Sequence, residues 1–168
     1  MRRVCFLDVD GVLNSERFFE RTGRQDRFGV GSDRLDPEAL ARLDRVLEAT
    51  GAEVIVCSSW RYAVSPRELA QMMAEVGFKH PERVVGQTEH SAHESDTPRG
   101  DEVRDWLAME RERCEVEPER EPVTSYCIID DDDEFDGEQQ DYYIQTDREV
   151  GLTDHDARRA IAILQGGA

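Results

Sequence analysis

Val4-Cys5-Phe6-Leu7-Asp8-Val9-Asp10-Gly11-Val12-Leu13-Asn14 is the stretch whose reading decides the fold. Four apolar residues run straight into two carboxylates one residue apart, and a glycine follows. An apolar run of that length reads as a buried strand. The strand stops at Asp8, and Gly11 permits the tight turn that comes next. Because the chain is leaving the strand there, Asp8 and Asp10 can both face one crevice, with the N–H groups of the turn. In open α/β sheets that crevice, beyond the carboxyl ends of the strands, is where ligands bind. Two carboxylates in it suit a hard cation and a nucleophile side by side. A plain polar turn at a strand end fits the same spacing, so the rest of the chain has to decide.

The 168 residues predict a single domain over 1–168, and the formal charge of −17 with 38% hydrophobic residues predicts an acidic soluble protein. No apolar run approaches the roughly 20 residues that span a bilayer, so no membrane partner is expected. Met1-Arg2-Arg3 enters the first strand at once, which leaves no room for a signal peptide, and a cytoplasmic location is the expectation. Cys5, Cys57, Cys114 and Cys127 form no Cys-x-x-Cys pair and read as free thiols. The acidity argues against broad nonspecific binding of nucleic acid, which requires neutralising phosphates.

Along the chain, strand and helix alternate. Residues 15–34 read as a loop rich in arginine and aromatics, either solvated or a flap facing a phosphate or a nucleotide. Asp36-Pro37-Glu38 opens a helix that Gly51 closes, with Leu40, Leu43 and Leu47 on one face. A second buried strand, Val54-Ile55-Val56-Cys57, runs into Ser58-Ser59-Trp60-Arg61. Ser65-Pro66-Arg67-Glu68 is a capping box for the next helix, and Arg83-Val84-Val85 reads as a short strand. Residues 86–98 read as a polar loop in which His90 and His93 are solvated rather than metal ligands. A helix starts at Arg99 and buries Val103, Trp106 and Leu107, then gives way to a charged surface connection around 110–122. Tyr126-Cys127-Ile128-Ile129 is a fourth strand ending in Asp130-Asp131-Asp132-Asp133, and Tyr142-Tyr143-Ile144-Gln145 is a fifth. Thr153 caps a last helix with Ala157, Ile161 and Leu164 inward. The alternation predicts a parallel sheet covered on both faces, with the strand at 4–7 central between those at 54–57 and 126–129.

In chain order, strand ends or helix starts present Asp8 with Asp10, Ser58 with Ser59, Arg99, and Asp130 with Asp131. That order resembles the haloacid dehalogenase (HAD) superfamily of phosphohydrolases over nearly the whole chain. Asp8-Val-Asp-Gly-Val-Leu-Asn14, Ser58-Ser-Trp-Arg61, Arg99-Gly-Asp-Glu-Val-Arg-Asp-Trp-Leu107, Ile129-Asp-Asp-Asp and Thr146-Asp-Arg-Glu-Val-Gly-Leu-Thr153 are similar to the HAD domain of Swiss Army Knife RNA repair-like proteins. The resemblance implies a Rossmann-like three-layer α/β sandwich with a central five-stranded parallel sheet. It implies Asp8 as nucleophile and Asp10 as acid–base. Mg²⁺ would be held by Asp8, the backbone carbonyl of Asp10, and Asp130. Ser58 would hydrogen-bond a phosphoryl oxygen, and Arg99 would supply the charge that the family more often takes from lysine. Asn14, Ser59, Arg61 and Asp131 are accessory candidates, and the choices between Ser58 and Ser59 and between Asp130 and Asp131 stay open.

Other readings fail on order or spacing. A P-loop enzyme needs Gly-x-x-x-x-Gly-Lys-Ser/Thr, which the sequence lacks. In receiver domains the acidic pair precedes the phosphorylated aspartate, and true dehalogenases lack the acid that Asp10 supplies. The spacing from Asp10 to Ser58 leaves no room for a folded cap, so a capless or minimally capped fold with an open site is expected. The expected partner is a phosphorylated substrate, with the subgroup favouring a nucleotide or nucleic-acid end. A small phosphate monoester and a non-catalytic phospho-binding module are the alternatives.

Overall fold

A computed structural model describes residues 1–24, 28–89 and 97–166. Its sheet has five parallel strands, β1 (Arg2–Leu7), β2 (Glu53–Val56), β3 (Val84–Gln87), β4 (Val123–Asp130) and β5 (Tyr143–Gln145), in the order β3-β2-β1-β4-β5. The opening strand is therefore central, between the two strands expected beside it. Its period of two explains why Val4–Leu7 is apolar at every position. Cys5 and Leu7 pack on one face with α2 (Pro37–Thr50), α3 (Pro66–Glu75) and α5 (Asp154–Leu164). Val4 and Phe6 pack on the other face, against Val103 and Trp106 of α4 (Arg99–Val116) and against Phe135 and Tyr143. Phe6 stands edge-on to Trp106 at 5.3 Å and to Tyr126 at 6.0 Å. Three layers result, with no cap domain among the described residues.

The helix punctuation forms as the sequence predicts. Asp36 caps α2 ahead of Pro37, and Gly51 closes it at φ 68°. Ser65 with Glu68, and Thr153 with Asp156, form capping boxes on α3 and α5. Among the described residues no helix is long and apolar enough to cross a membrane. All four cysteines are free thiols, and burial, followed by Glu102, pushes Cys57 up to about 12, so it stays protonated.

Several boundaries differ from the sequence reading. The 15–34 stretch contains a short helix, α1 (Glu16–Arg21), capped by the Ser15 side chain, and a 3₁₀ turn at Ser32–Arg34. Phe18 and Phe19 are buried there, so neither is a stacking face, and Arg21 and Arg24 pair with Asp36, Glu38 and Asp33. The helix from Arg99 does not give way near 110 but continues to Val116. Glu110 is buried on it because Arg2 and Arg120 both bind its carboxylate. Gly86 and Gln87 belong to β3 rather than to a loop, and Tyr142 lies in a 3₁₀ turn before β5. His90 and His93 fall outside the described residues.

Phe6 joins the sheet to α4, so Phe6→Ala should cost about 3–5 kcal/mol, the usual range for a phenylalanine emptied from a core. Urea unfolding measures this directly. A loss under about 1 kcal/mol, no more than deleting a single methyl group from a core, would contradict the packing described.

Candidate active site

The ladder hydrogen bonds deliver the site. Asp8 N–H donates to Ile129 O of β4 at 3.0 Å, and Cys57 N–H donates to Leu7 O at 2.8 Å. Asp8, Ser58 and Asp130 thus leave three adjacent strands at one edge of the sheet. Asp8 and Asp130 have almost no exposed side-chain surface, 2% and 1%, and Arg99 at the start of α4 bridges them. One Arg99 nitrogen, Nη1, lies 2.9 Å from Asp8 Oδ1, 2.8 Å from Asp130 Oδ2 and 3.0 Å from the Cys57 carbonyl oxygen. Four of the residues singled out by sequence are therefore brought together.

The turn after β1 is built around Gly11. Its φ of +74° lies in the left-handed region, and a Cβ there would stand 2.4 Å from the Asp131 carboxylate. Asn14 Oδ1 accepts from Gly11 N–H at 3.0 Å, and the Thr146 hydroxyl donates to Gly11 O at 2.8 Å. Asp10 leans back into this turn. Asn14 Nδ2 donates to its Oδ1 at 2.8 Å, and the Trp60 indole N–H donates to its Oδ2 at 3.0 Å.

The acidic run after β4 is not simply solvated. Asp130 Oδ1 accepts from Asp132 N–H at 3.0 Å, and the Tyr143 hydroxyl donates to Asp132 O at 2.5 Å. Asp131 accepts from Arg148 Nε at 2.6 Å, with its own side chain only 3% exposed. Carboxylate oxygens of Asp8, Asp130 and Asp131 all lie within 4.8 Å of one another. Hard oxygen donors so grouped fit a hard divalent cation, and the contact of Asp8 Oδ1 with Arg99 is an ion pair without an aligned hydrogen bond. Asp130 and the accessory candidate Asp131 therefore stand at the same place, which leaves them as joint candidates.

Electrostatics follow from burial. Desolvation raises Asp8 above the ordinary carboxylate range, against the pull of Arg99, the Ser58 hydroxyl and the Val9 N–H. Asp130 is raised by burial first and then by the Asp8 charge, against Arg99. Burial works against the Arg99 charge, but Asp8 and Asp130 outweigh it and raise its pKa.

Ser58 is fully buried beside Asp8, and its Oγ accepts from Trp60 N–H at 3.3 Å; Ser59 is exposed on the following 3₁₀ turn. Arg61 differs from expectation. Its side chain is 5% exposed and neutralised by Glu102 at 2.6 Å, with Thr88 Oγ1 at 3.2 Å. It braces the Ser59–Tyr62 turn against α4 and supplies no free charge for a substrate. A groove of about 690 Å³ opens beside Arg99, between Ser59, Tyr62, Pro98 and Phe135. A second, of about 660 Å³, surrounds Arg2, Glu53 and Glu110 at the other end of the sheet, away from these carboxylates.

Sequence reasoning missed Trp60, Thr146 and Arg148 as parts of the site. Trp60 follows Ser58-Ser59 directly, and the Thr146–Thr153 stretch was conspicuous without a role attached. With this geometry in hand, comparison with known proteins gives one match. The family model for the HAD domain in Swiss Army Knife RNA repair proteins covers residues 4–157. No curated protein and no solved structure matches the chain significantly.

The raised pKa values make a prediction with a definite sign. Between the ordinary aspartate value of 3.8 and about 8, the folded protein holds protons that the unfolded chain has released. Stability from this source is present at low pH and lost as pH rises through that window. Without divalent metal, wild-type Tm should fall relative to Asp130→Asn from pH 5 to pH 8, and Mg²⁺ should restore it. Parallel Tm curves for the two proteins would refute the carboxylate crowding.

Proposed function

The chain belongs to the family of HAD domains found in Swiss Army Knife RNA repair proteins, and from that membership we propose that it is a Mg²⁺-dependent phosphatase working through an aspartyl-phosphate. The observation that carries the proposal is the buried Asp8 carboxylate, held at the carboxyl edge of the central strand between Arg99, Ser58 and Asp130.

In this reading an Asp8 oxygen attacks phosphorus while the bond from phosphorus to the leaving oxygen breaks, and Asp10 gives that oxygen a proton. Water then attacks the aspartyl-phosphate, Asp10 takes its proton, and Asp8 is regenerated. Ser58 and Arg99 bind phosphoryl oxygens, and a guanidinium can engage two of them at once. Among the described residues, the three acids Asp8, Asp130 and Asp131 face two guanidinium groups, Arg99 and Arg148. An incoming phosphate meets excess negative charge once all three acids are ionised. Asp8, Asp130 and Asp131, with the Asp10 carbonyl, would hold Mg²⁺, which when bound neutralises charge between carboxylate and phosphate.

The RNA repair context of the family supports a nucleotide or polynucleotide phosphate end as substrate, reached through a site with no cap domain over the described residues. A small phosphate monoester is the second reading. It is favoured by the pairing of Arg21, Arg24 and Arg61 with acids, which leaves little positive charge to follow a nucleic-acid backbone.

Two aspartate variants test the roles. Purified protein should hydrolyse an aryl phosphate with Mg²⁺ and lose that activity in chelator. Asp8→Asn should abolish trapping of labelled phosphoenzyme. Asp10→Asn should still accumulate it on an aryl phosphate, whose leaving group needs little protonation, while turnover falls by about 10²–10⁴-fold. Label on folded Asp8→Asn, checked by circular dichroism, would overturn the assignment.

A further inference from the structure

We infer that Trp60 and Asn14 form a clamp that positions Asp10 for proton transfer, fixing each of its two carboxylate oxygens with a separate donor. The inference rests on the reading of Asp10 as the acid–base. Asp10 is only partly buried, at the mouth of a turn, and an aspartate there would otherwise rotate towards solvent. The two donors instead define the plane of its carboxyl group, with Trp60 on Oδ2 at 3.0 Å and Asn14 on Oδ1 at 2.8 Å.

Both donors are themselves anchored. Trp60 is 2% exposed, its ring sits in the larger core cluster, and its backbone N–H is bound to Ser58 Oγ. The indole N–H can only donate, so its sole polar contribution goes to Asp10. Asn14 is 2% exposed, and the orientation of its amide is set from both sides. Its oxygen must accept from Gly11 N–H while its nitrogen donates to the carboxylate.

The clamp also joins two parts of the site. Trp60 lies in the same 3₁₀ turn that follows Ser58, so the hydroxyl beside the nucleophile and the donor on Asp10 move as one unit. That turn is braced against α4 by the buried Arg61–Glu102 pair. Each Asp10 oxygen keeps a second lone pair, which leaves capacity for the proton delivered to the leaving oxygen and later recovered from water. Trp60 touches neither Asp8 nor Arg99 through a hydrogen bond, so it is a positioning residue.

A placement role has a signature that a packing role lacks. Misplacing an acid slows the reaction in proportion to how badly the leaving group needs a proton. The test is the single-turnover rate of phosphoenzyme formation, measured along a series of phosphate monoesters from nitrophenyl to simple alkyl. Wild type, Trp60→Phe and Asp10→Asn are compared, each with Mg²⁺. Trp60→Phe should lose about 10- to 100-fold on alkyl esters and little on nitrophenyl phosphate, with apparent substrate affinity unchanged. If Trp60→Phe does not fold, 3-benzothienylalanine at position 60 keeps the ring volume and replaces the N–H by sulfur, and it should give the same steepened series. A uniform loss across the series, or a loss of affinity alone, while Asp10→Asn steepens it, would refute the clamp and leave the acid–base role of Asp10 standing. An Asp10→Asn series that runs parallel to wild type would remove that role, and the clamp with it.

Discussion

The bridge from Asp8 through Arg99 to Asp130 is the interaction on which the site depends. Two carboxylates leave neighbouring strands within a few ångströms of each other, both almost wholly out of water. They repel, and burial with that repulsion holds Asp130 protonated up to about pH 8 even beside Arg99. Arg99 reconciles them from the first turn of α4, while its third contact, the Cys57 carbonyl, fastens it to the end of β2. Removing Arg99 would leave both buried carboxyl groups uncompensated, and breaking a buried ion pair typically costs about 3–5 kcal/mol. The bridge is therefore structural and chemical at once. It keeps Asp8 in place and supplies a cation where a phosphoryl group would sit.

Everything that aims the bridge comes from ordinary α/β construction. A central strand buried on both faces has to be apolar until it emerges, so its first polar residue stands at the sheet edge. The apolar runs of β1, β2 and β4 each obey this, giving way to Asp8, Ser58 and Asp130 respectively. Gly11 then lets the chain reverse beneath Asp131, where any side chain would collide. The loop of Asp147–Gly151 is clipped to the start of α1, since Glu16 N–H and Arg17 N–H donate to Arg148 O and Glu149 O, and Leu152 N–H just after it donates to Val12 O of the Gly11 turn. Arg148 is thereby held where it meets Asp131.

This logic also says how much was legible in the sequence. The three central strands and the residues at their ends were readable because apolar runs stop at them, and Arg99 was readable because it heads a helix. Charge compensation was not. Arg61 looks cationic in sequence, but its partner Glu102 lies 41 positions away and meets it only after α4 docks. Likewise α4 reads as ending near 110, because what keeps Glu110 buried is Arg2 at the start of the chain. Trp60 stands in the quoted Ser58–Arg61 stretch with no role attached; it packs in the core, yet one atom of the ring serves Asp10. The helix at Glu16–Arg21 was hidden by the arginines and glycines around it, while its buried Phe18 and Phe19 and its Ser15 cap hold it in place.

The central claim is that Asp8 carries the phosphoryl group between two displacements. The stereochemical course at phosphorus tests it most directly, using a thiophosphate monoester made chiral with oxygen isotopes and hydrolysed in isotopically labelled water. Two in-line displacements, first by Asp8 and then by water, predict overall retention of configuration. Inversion would mean that water attacks the substrate directly, and Asp8 would then be a metal or positioning group rather than the nucleophile.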